Sequence, residues 1–309
     1  MLRFPNPESF VQYVRQSRRG SDNSILIVEG ITDKRAMLPL LDSSVTVIPA
    51  DGKDKLIAAF DGLSSRYQER IAFVLDCDGD TPGRLKGHGN LVLTTNRDVE
   101  ADLLLEVRAF RGLAFELLAH LYDDIPSIEA AADAIVLDSS RLASKFGATR
   151  NASATLGLRQ KLQDPHSGRK RPVRPSDLPG IAHMAGDVER VHATHLAAEI
   201  GGVLDWSPEE QRQVATLTAQ ELERPCSHHA SRPCGPCTTR RHCGGHSLVD
   251  TLPAVIAARH GLNIDAAVLD RGLRIAAPSS ELQSWRVLER LRRWEDASGS
   301  PLLRNRGMG

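Results

Sequence analysis

Over the first hundred residues, short apolar runs alternate with amphipathic stretches. Ser24 to Gly30 (SILIVEG) stays apolar until it ends in an acid and a glycine, the pattern of a parallel strand buried on both faces. Thr32 to Leu41 follows, with Ala36, Met37, Leu40 and Leu41 at helical spacing and Thr32 placed as an N-cap. VTVIPADG predicts a second strand, and Lys53 to Gln68 a second helix carrying Leu56, Ile57, Ala59, Phe60 and Leu63. IAFVLD is a third strand, NLVLTT a fourth, and Val99 to Leu118 a further helix. Strands and helices alternating at this spacing predict an α/β fold, a small parallel sheet with helices on both faces.

Beyond about Leu121 the pattern changes to helices and polar connectors. Ser127 to Ala143, Met184 to Ile200, Ser247 to His260 and Glu281 to Ala297 have helical spacing. QDPHSGRKRPVRPSDLPG has the proline, glycine and charge content of an exposed loop. The expected organisation is a first domain over residues 1–121 and a mainly helical region over 122–309, with a cysteine-rich knuckle at 226–246.

Composition narrows the function classes. The 309 residues carry a formal net charge of zero and only 4% aromatic side chains, so a nucleic-acid site would be a local patch rather than a property of the whole surface. No apolar run approaches the ~18 residues that span a bilayer. The start, MLRFPNPESF, has no signal-peptide core, so a cytoplasmic address without membrane contact is expected. No G-x-x-x-x-G-K-[ST] phosphate loop occurs, so ATPase activity would have to come from another chain.

The acids give the sharpest chemical signal. FVLDCDGDTP, residues 73–82, ends an apolar run in Asp76, Asp78 and Asp80. A calcium loop of the EF-hand kind would need glycine and glutamate at its sixth and twelfth positions, where this chain has Thr81 and Gly87. A phosphatase of the haloacid-dehalogenase kind begins D-x-D-G-T, and Asp80 stands where that motif has threonine. That motif also opens its domain, whereas two strand–helix units precede it here. A phosphatase with Asp76 as nucleophile is one alternative, and a non-catalytic scaffold is another.

VEGITDK and VLDCDGD, about 47 residues apart, together resemble the two signature motifs of the Toprim domain found in topoisomerases, primases and several nucleases. The resemblance covers about residues 22–110. It places Glu29 at the end of the first strand, as proton-handling group or ligand, with Asp76 and Asp78 as the D-x-D that ends the third. It implies Mg²⁺ or Mn²⁺, because phosphodiester transfer needs charge neutralised on the phosphoryl oxygens. Glu29, Asp76 and Asp78 are thus the expected catalytic residues. Asp33, Asp80 and Glu100 join them as candidate ligands, Asp33 and Glu100 being alternatively helix-start acids and Asp80 a solvated loop acid. Lys53, after the second strand, is a candidate phosphate contact.

The same resemblance is closest to Toprim nucleases of the overcoming-lysogenization-defect type, encoded beside ABC-type ATPases in anti-phage systems. It implies a toxic nuclease acting on DNA or RNA, tRNA included, under the control of an ATPase partner. Nucleic acid, that ATPase and a second copy of the chain are the partners expected.

CSHHASRPCGPCTTRRHCGGH adds a second metal signal. Cys226, Cys234, Cys237 and Cys243 suit a structural, tetrahedral zinc site; an iron–sulfur cluster is the alternative. His246, just beyond, is a candidate site residue for which a structural role is the favoured reading. Arg169, Lys170, Arg171, Arg240 and Arg241 form basic segments suited to phosphate, with a solvated surface run as the bland alternative.

Overall fold

A computed structural model gives the fold and describes residues 4–20, 22–63, 69–77, 85, 88–163, 170–224, 242, 244–276, 282 and 285–304. The chain divides into two compact units, Met1–Asp102 with Pro278–Gly309, and Leu103–Ala277. Composition places the change of character near residue 121, whereas the division by packing returns the C-terminal segment to the first unit.

The first unit begins with helix α1 (Pro7–Arg19), whose Asn6 cap accepts the Ser9 amide at 2.9 Å. Then come β1 (Ile25–Val28), α2 (Ile31–Met37), a 3₁₀ turn at Leu38–Leu40, β2 (Thr46–Pro49), α3 (Lys53–Gly62), β3 (Ile71–Leu75) and β4 (Leu91–Leu93). The pairings among these four strands are parallel, in the order β2-β1-β3-β4. Successive strand residues face opposite sides. Ile25, Ile27, Ile71, Phe73 and Leu75 share one core with Phe10, Val14, Leu56 and Phe60 of α1 and α3. Leu26, Val28, Ala72 and Val74, on the other side, are also buried. Burial on both faces is why these strands read as continuous apolar runs.

The C-terminal segment completes this unit. Leu303 pairs antiparallel with Leu41, the Asp42 amide donates to Leu302 O at 2.9 Å, and Trp285, Leu291 and Leu302 are fully buried. Residues 285–304 are therefore part of the sheet unit's core and not an appendix to the helical region.

Helix α4 (Val99–Leu105) carries the chain across the boundary. The second unit then holds α5 (Ala109–Leu118), α6 (Ile125–Thr155), a hairpin of β5 (Lys161–Gln163) and β6 (Lys170–Pro172), α7 (Ile181–Gly186), α8 (Ala193–Leu204), α9 (Pro208–Glu223), α10 (Gly245–His260) and α11 (Ala266–Ala276). The long α6 is its axis. Small buried residues, Ala132, Ser139, Ala143, Ser144, Gly147 and Ala148, let α9 and α10 approach α6 closely. The Thr251 hydroxyl of α10 donates to Ser139 O of α6 at 3.2 Å.

Four local expectations are corrected. Helix α2 starts at Ile31 with Gly30 as its cap, not at Thr32, because the Asp33 carboxylate takes the Gly30 amide at 2.7 Å. The helix expected over Val99–Leu118 is two helices, broken at Arg108, which is left-handed at φ 51°. The helix expected over Met184–Ile200 is interrupted by a 3₁₀ turn at Val188–Arg190. Lys145 Nζ donates to the Val188 and Val191 carbonyls of that turn at 2.7 and 3.0 Å, satisfying oxygens that a helix would otherwise use. The loop expected between these helices contains the β5–β6 hairpin.

Candidate metal centre

Parallel strands carry their C-terminal ends to a common edge, where open α/β sheets place their sites. Glu29 follows β1 directly and Asp76 follows β3 directly, on strands that are neighbours with Val28 opposite Val74. Asp98 and Glu100 follow β4, the neighbour of β3 on its other side. Asp33, in the first turn of α2, is 5% exposed, and Glu100, in the first turn of α4, is 6% exposed. Carboxylate oxygens of Asp98 and Glu100 lie within 4.8 Å of each other.

These acids act on one another. Burial, and then the negative charges of Asp33, Asp98, Glu29 and Glu100, hold the Asp76 carboxyl well above the ordinary carboxylate range. Two unit charges about 5 Å apart repel by roughly 3 kcal/mol at an effective dielectric constant near 20. A divalent cation reverses the sign of that balance. The donor set fits such an ion, since carboxylate oxygens are the hard ligands that Mg²⁺ and Mn²⁺ take. Asp98 and Glu100 are spaced so that one metal ion could be held between them.

Some of these groups also hold the backbone. Asp33 accepts the Gly30 amide, and Asp98 Oδ1 accepts the Ala101 amide at 2.9 Å as the cap of α4. A helix-start role is thus present in both without removing their charge from the cluster. The Glu29 carbonyl accepts the Gly52 amide at 3.1 Å. That tie joins the end of β1 to the turn after β2, where Asp51 is left-handed at φ 60° and Gly52 has φ 119°. Lys53, the next residue, opens α3 at the same edge and is half-buried.

Asp102, absent from the sequence-derived candidates, organises the β4–α4 loop. It is fully buried and accepts four N–H donors. Oδ1 takes the Asn96 amide at 2.6 Å and Asn96 Nδ2 at 2.9 Å; Oδ2 takes the Thr95 amide at 2.9 Å and Trp285 Nε1 at 3.0 Å. The Thr94 hydroxyl then accepts the Cys77 amide at 2.9 Å and donates to Asn96 O at 2.8 Å. The one sequence cue is an acid on the apolar side of VEADLLL. Its distant partner Trp285 leaves no local signal.

The remaining candidates divide by unit. Asp78, Asp80, Arg169, Arg240, Arg241 and the four cysteines of the proposed zinc site, Cys226, Cys234, Cys237 and Cys243, lie outside the described residues. In the second unit, Lys170 is exposed on β6, while Arg171 makes a bidentate pair with Asp177 at 2.6 and 2.7 Å. His246 lies on α10 of that unit and is exposed. No helix among the described residues is long and apolar enough to cross a membrane.

No protein-family profile matches the chain, and no curated protein matches it either.

Proposed function

We propose that this chain is a Mg²⁺- or Mn²⁺-dependent nuclease of the Toprim kind, cutting phosphodiester bonds in DNA or RNA. The observation that carries the reading is the gathering of Glu29, Asp33, Asp76, Asp98 and Glu100 at one edge of a four-stranded parallel sheet, where burial and then the charges of the other four raise the Asp76 pKa. Asp76 with Asp98 and Glu100 would hold the ion, joined by Asp78 on the strength of the resemblance. When bound, the ion neutralises charge on the phosphoryl oxygens and the leaving oxygen. Glu29 would take the proton from the attacking water, acting as general base from the neighbouring strand end. Lys53, at the start of α3, would orient a substrate phosphate. The cysteine segment as a structural zinc site and an ABC-type ATPase as controlling partner complete the proposal, the latter on family analogy alone.

The test is incubation of purified protein with plasmid, single-stranded DNA and bulk tRNA, in Mg²⁺, Mn²⁺ or EDTA. Metal-dependent cutting of at least one substrate is expected, with a loss of at least a hundredfold in Glu29→Ala. A para-nitrophenyl phosphate assay run alongside separates the phosphatase alternative. Turnover there, with a trapped aspartyl phosphate and intact nucleic acid, would replace the nuclease reading.

A further inference from the structure

We infer that Trp285 and Asp102 form a positioning device for the carboxylate edge, through which the C-terminal segment sets the affinity of the site for divalent metal. The inference rests on the metal-dependent reading given above and deepens it. Asp102 lies two residues beyond Glu100 on α4, four beyond Asp98, and its own amide donates to Asp98 O at 3.1 Å. Its carboxylate faces away from solvent and is saturated by Thr95, Asn96 and Trp285. Asn96 passes the constraint to Thr94, and Thr94 to the amide of Cys77, one residue past Asp76. A continuous set of hydrogen bonds thus runs from the indole N–H of Trp285 to the backbone beside Asp76. Asp98 and Glu100 are carried on the loop and helix that this set fixes.

The purpose of such an arrangement is to hold mutually repelling acids at ligand distance before any cation arrives. Left to themselves, the β4–α4 loop and the β3 end would relax apart. Each bond to Asp102 opposes that relaxation, and the Trp285 bond comes from a residue 183 positions away in the chain. A group that orients ligands without touching the ion typically changes metal affinity by about 10- to 100-fold when removed.

The experiment is Mn²⁺ binding to the full-length protein, read by electron paramagnetic resonance. The set comprises wild type, Trp285→Phe, Asp102→Asn, Asp76→Asn and, as a packing control on the same segment, Trp294→Phe. Trp285→Phe keeps a ring in the core but removes the N–H together with the bulk of the five-membered ring, a volume loss that Trp294→Phe matches; Asp102→Asn turns one acceptor into a donor that faces donors. Both are expected to weaken Mn²⁺ binding about tenfold or more while circular dichroism stays native, with Trp294→Phe within about twofold of wild type. A second measurement needs no variant of the pair and covers the case in which one fails to fold. In the wild type, Mg²⁺ is expected to slow hydrogen exchange of the Trp285 indole N–H, an effect absent in Asp76→Asn. Wild-type protein that takes up no Mn²⁺ overturns the metal reading and this inference with it. Wild-type protein that binds Mn²⁺ while both variants bind it equally well, or while the indole exchange is unmoved by Mg²⁺, overturns this inference alone.

Discussion

Asp76 and Asp177 are two aspartates that their surroundings push in opposite directions. For Asp76, burial and four neighbouring acids raise the folded-state pKa, so between the unfolded and the raised values the folded chain binds more protons than the unfolded one. The contribution of Asp76 to metal-free stability is then fully present below the ordinary carboxylate range and is lost as pH rises through the raised value. Removing the charge should remove the penalty. Asp76→Asn is expected to raise the metal-free melting temperature at neutral pH by a few degrees, at roughly 2–4 °C per kcal/mol, and to abolish the rise that the proposed metal site predicts for Mg²⁺ in the wild type. That rise corresponds to about 2.7 kcal/mol at a metal concentration a hundred times the dissociation constant. Differential scanning calorimetry with and without Mg²⁺ measures both. If Asp76→Asn is less stable than wild type without metal, the repulsion is not what dominates there.

For Asp177, burial alone would raise the pKa, but hydrogen bonds from the Arg171 guanidinium and the Arg174 amide outweigh it, and the net shift is downward. The stability this pair contributes is present above the unfolded pKa and lost as pH falls through the depressed folded value. Because the pair is part-exposed, Arg171→Met should cost no more than about 1 kcal/mol at pH 7, and the cost should vanish in acid. Urea titrations at pH 7 and pH 3 check this. The fork also bears on the basic segment, since Arg171 meets phosphate only by exchanging or sharing an existing carboxylate partner.

Among the helices, close approach decides which glycines are replaceable. A Cβ on Gly147 of α6 would lie 1.9 Å from the carbonyl oxygen of His242, a backbone atom that cannot swing aside. His242 is itself buried, within 3.2 Å of Asn151 Nδ2. Gly147→Ala is expected to destabilise by about 1–3 kcal/mol through overpacking. Gly202→Ala in α8, where a Cβ meets nothing within 4 Å, should be neutral or stabilising by up to about 1 kcal/mol. Chemical denaturation of the two variants side by side gives the contrast; equal effects would mean the α6 contact is not tight in solution.

The four strands and their order along the sequence were legible because burial on both faces leaves unbroken apolar runs. The acids at the ends of β1 and β3 were legible because a carboxylate closing such a run is otherwise hard to place. The break at Arg108 was hidden, since arginine is not the residue that usually takes a left-handed conformation. Asp102 and Trp285 were hidden for a different reason: hydrophobic periodicity describes neighbours along one element and says nothing of a partner on another. The membership of residues 285–304 in the sheet unit was concealed in the same way, as their helical spacing matches that of the second unit.

Taken whole, the first unit is discontinuous. Its sheet comes from the start of the chain, and part of its core, Trp285, Leu291 and Leu302, comes from the end. A chain cut after residue 277 would lose these buried groups, the Leu41–Leu303 bridge and the donor to Asp102 together. Such a truncation is expected to leave the second unit's helical signal in far-UV circular dichroism while residues 1–102 become sensitive to limited proteolysis. Supplying residues 278–309 by fusion to the N-terminus through a flexible linker should restore protection if the packing is as described. Continued sensitivity of the fused chain would show that the segment is not what closes the core.

That discontinuity also sets an order of events during synthesis. Translation runs at about 5–20 residues per second, so the whole of Leu103–Ala277 separates the emergence of β4 from that of Trp285 by on the order of ten seconds or more. Throughout that interval the nascent sheet carries its acids without the segment that finishes its core. The carboxylate edge therefore stays without the Trp285 donor to Asp102 until that segment has emerged.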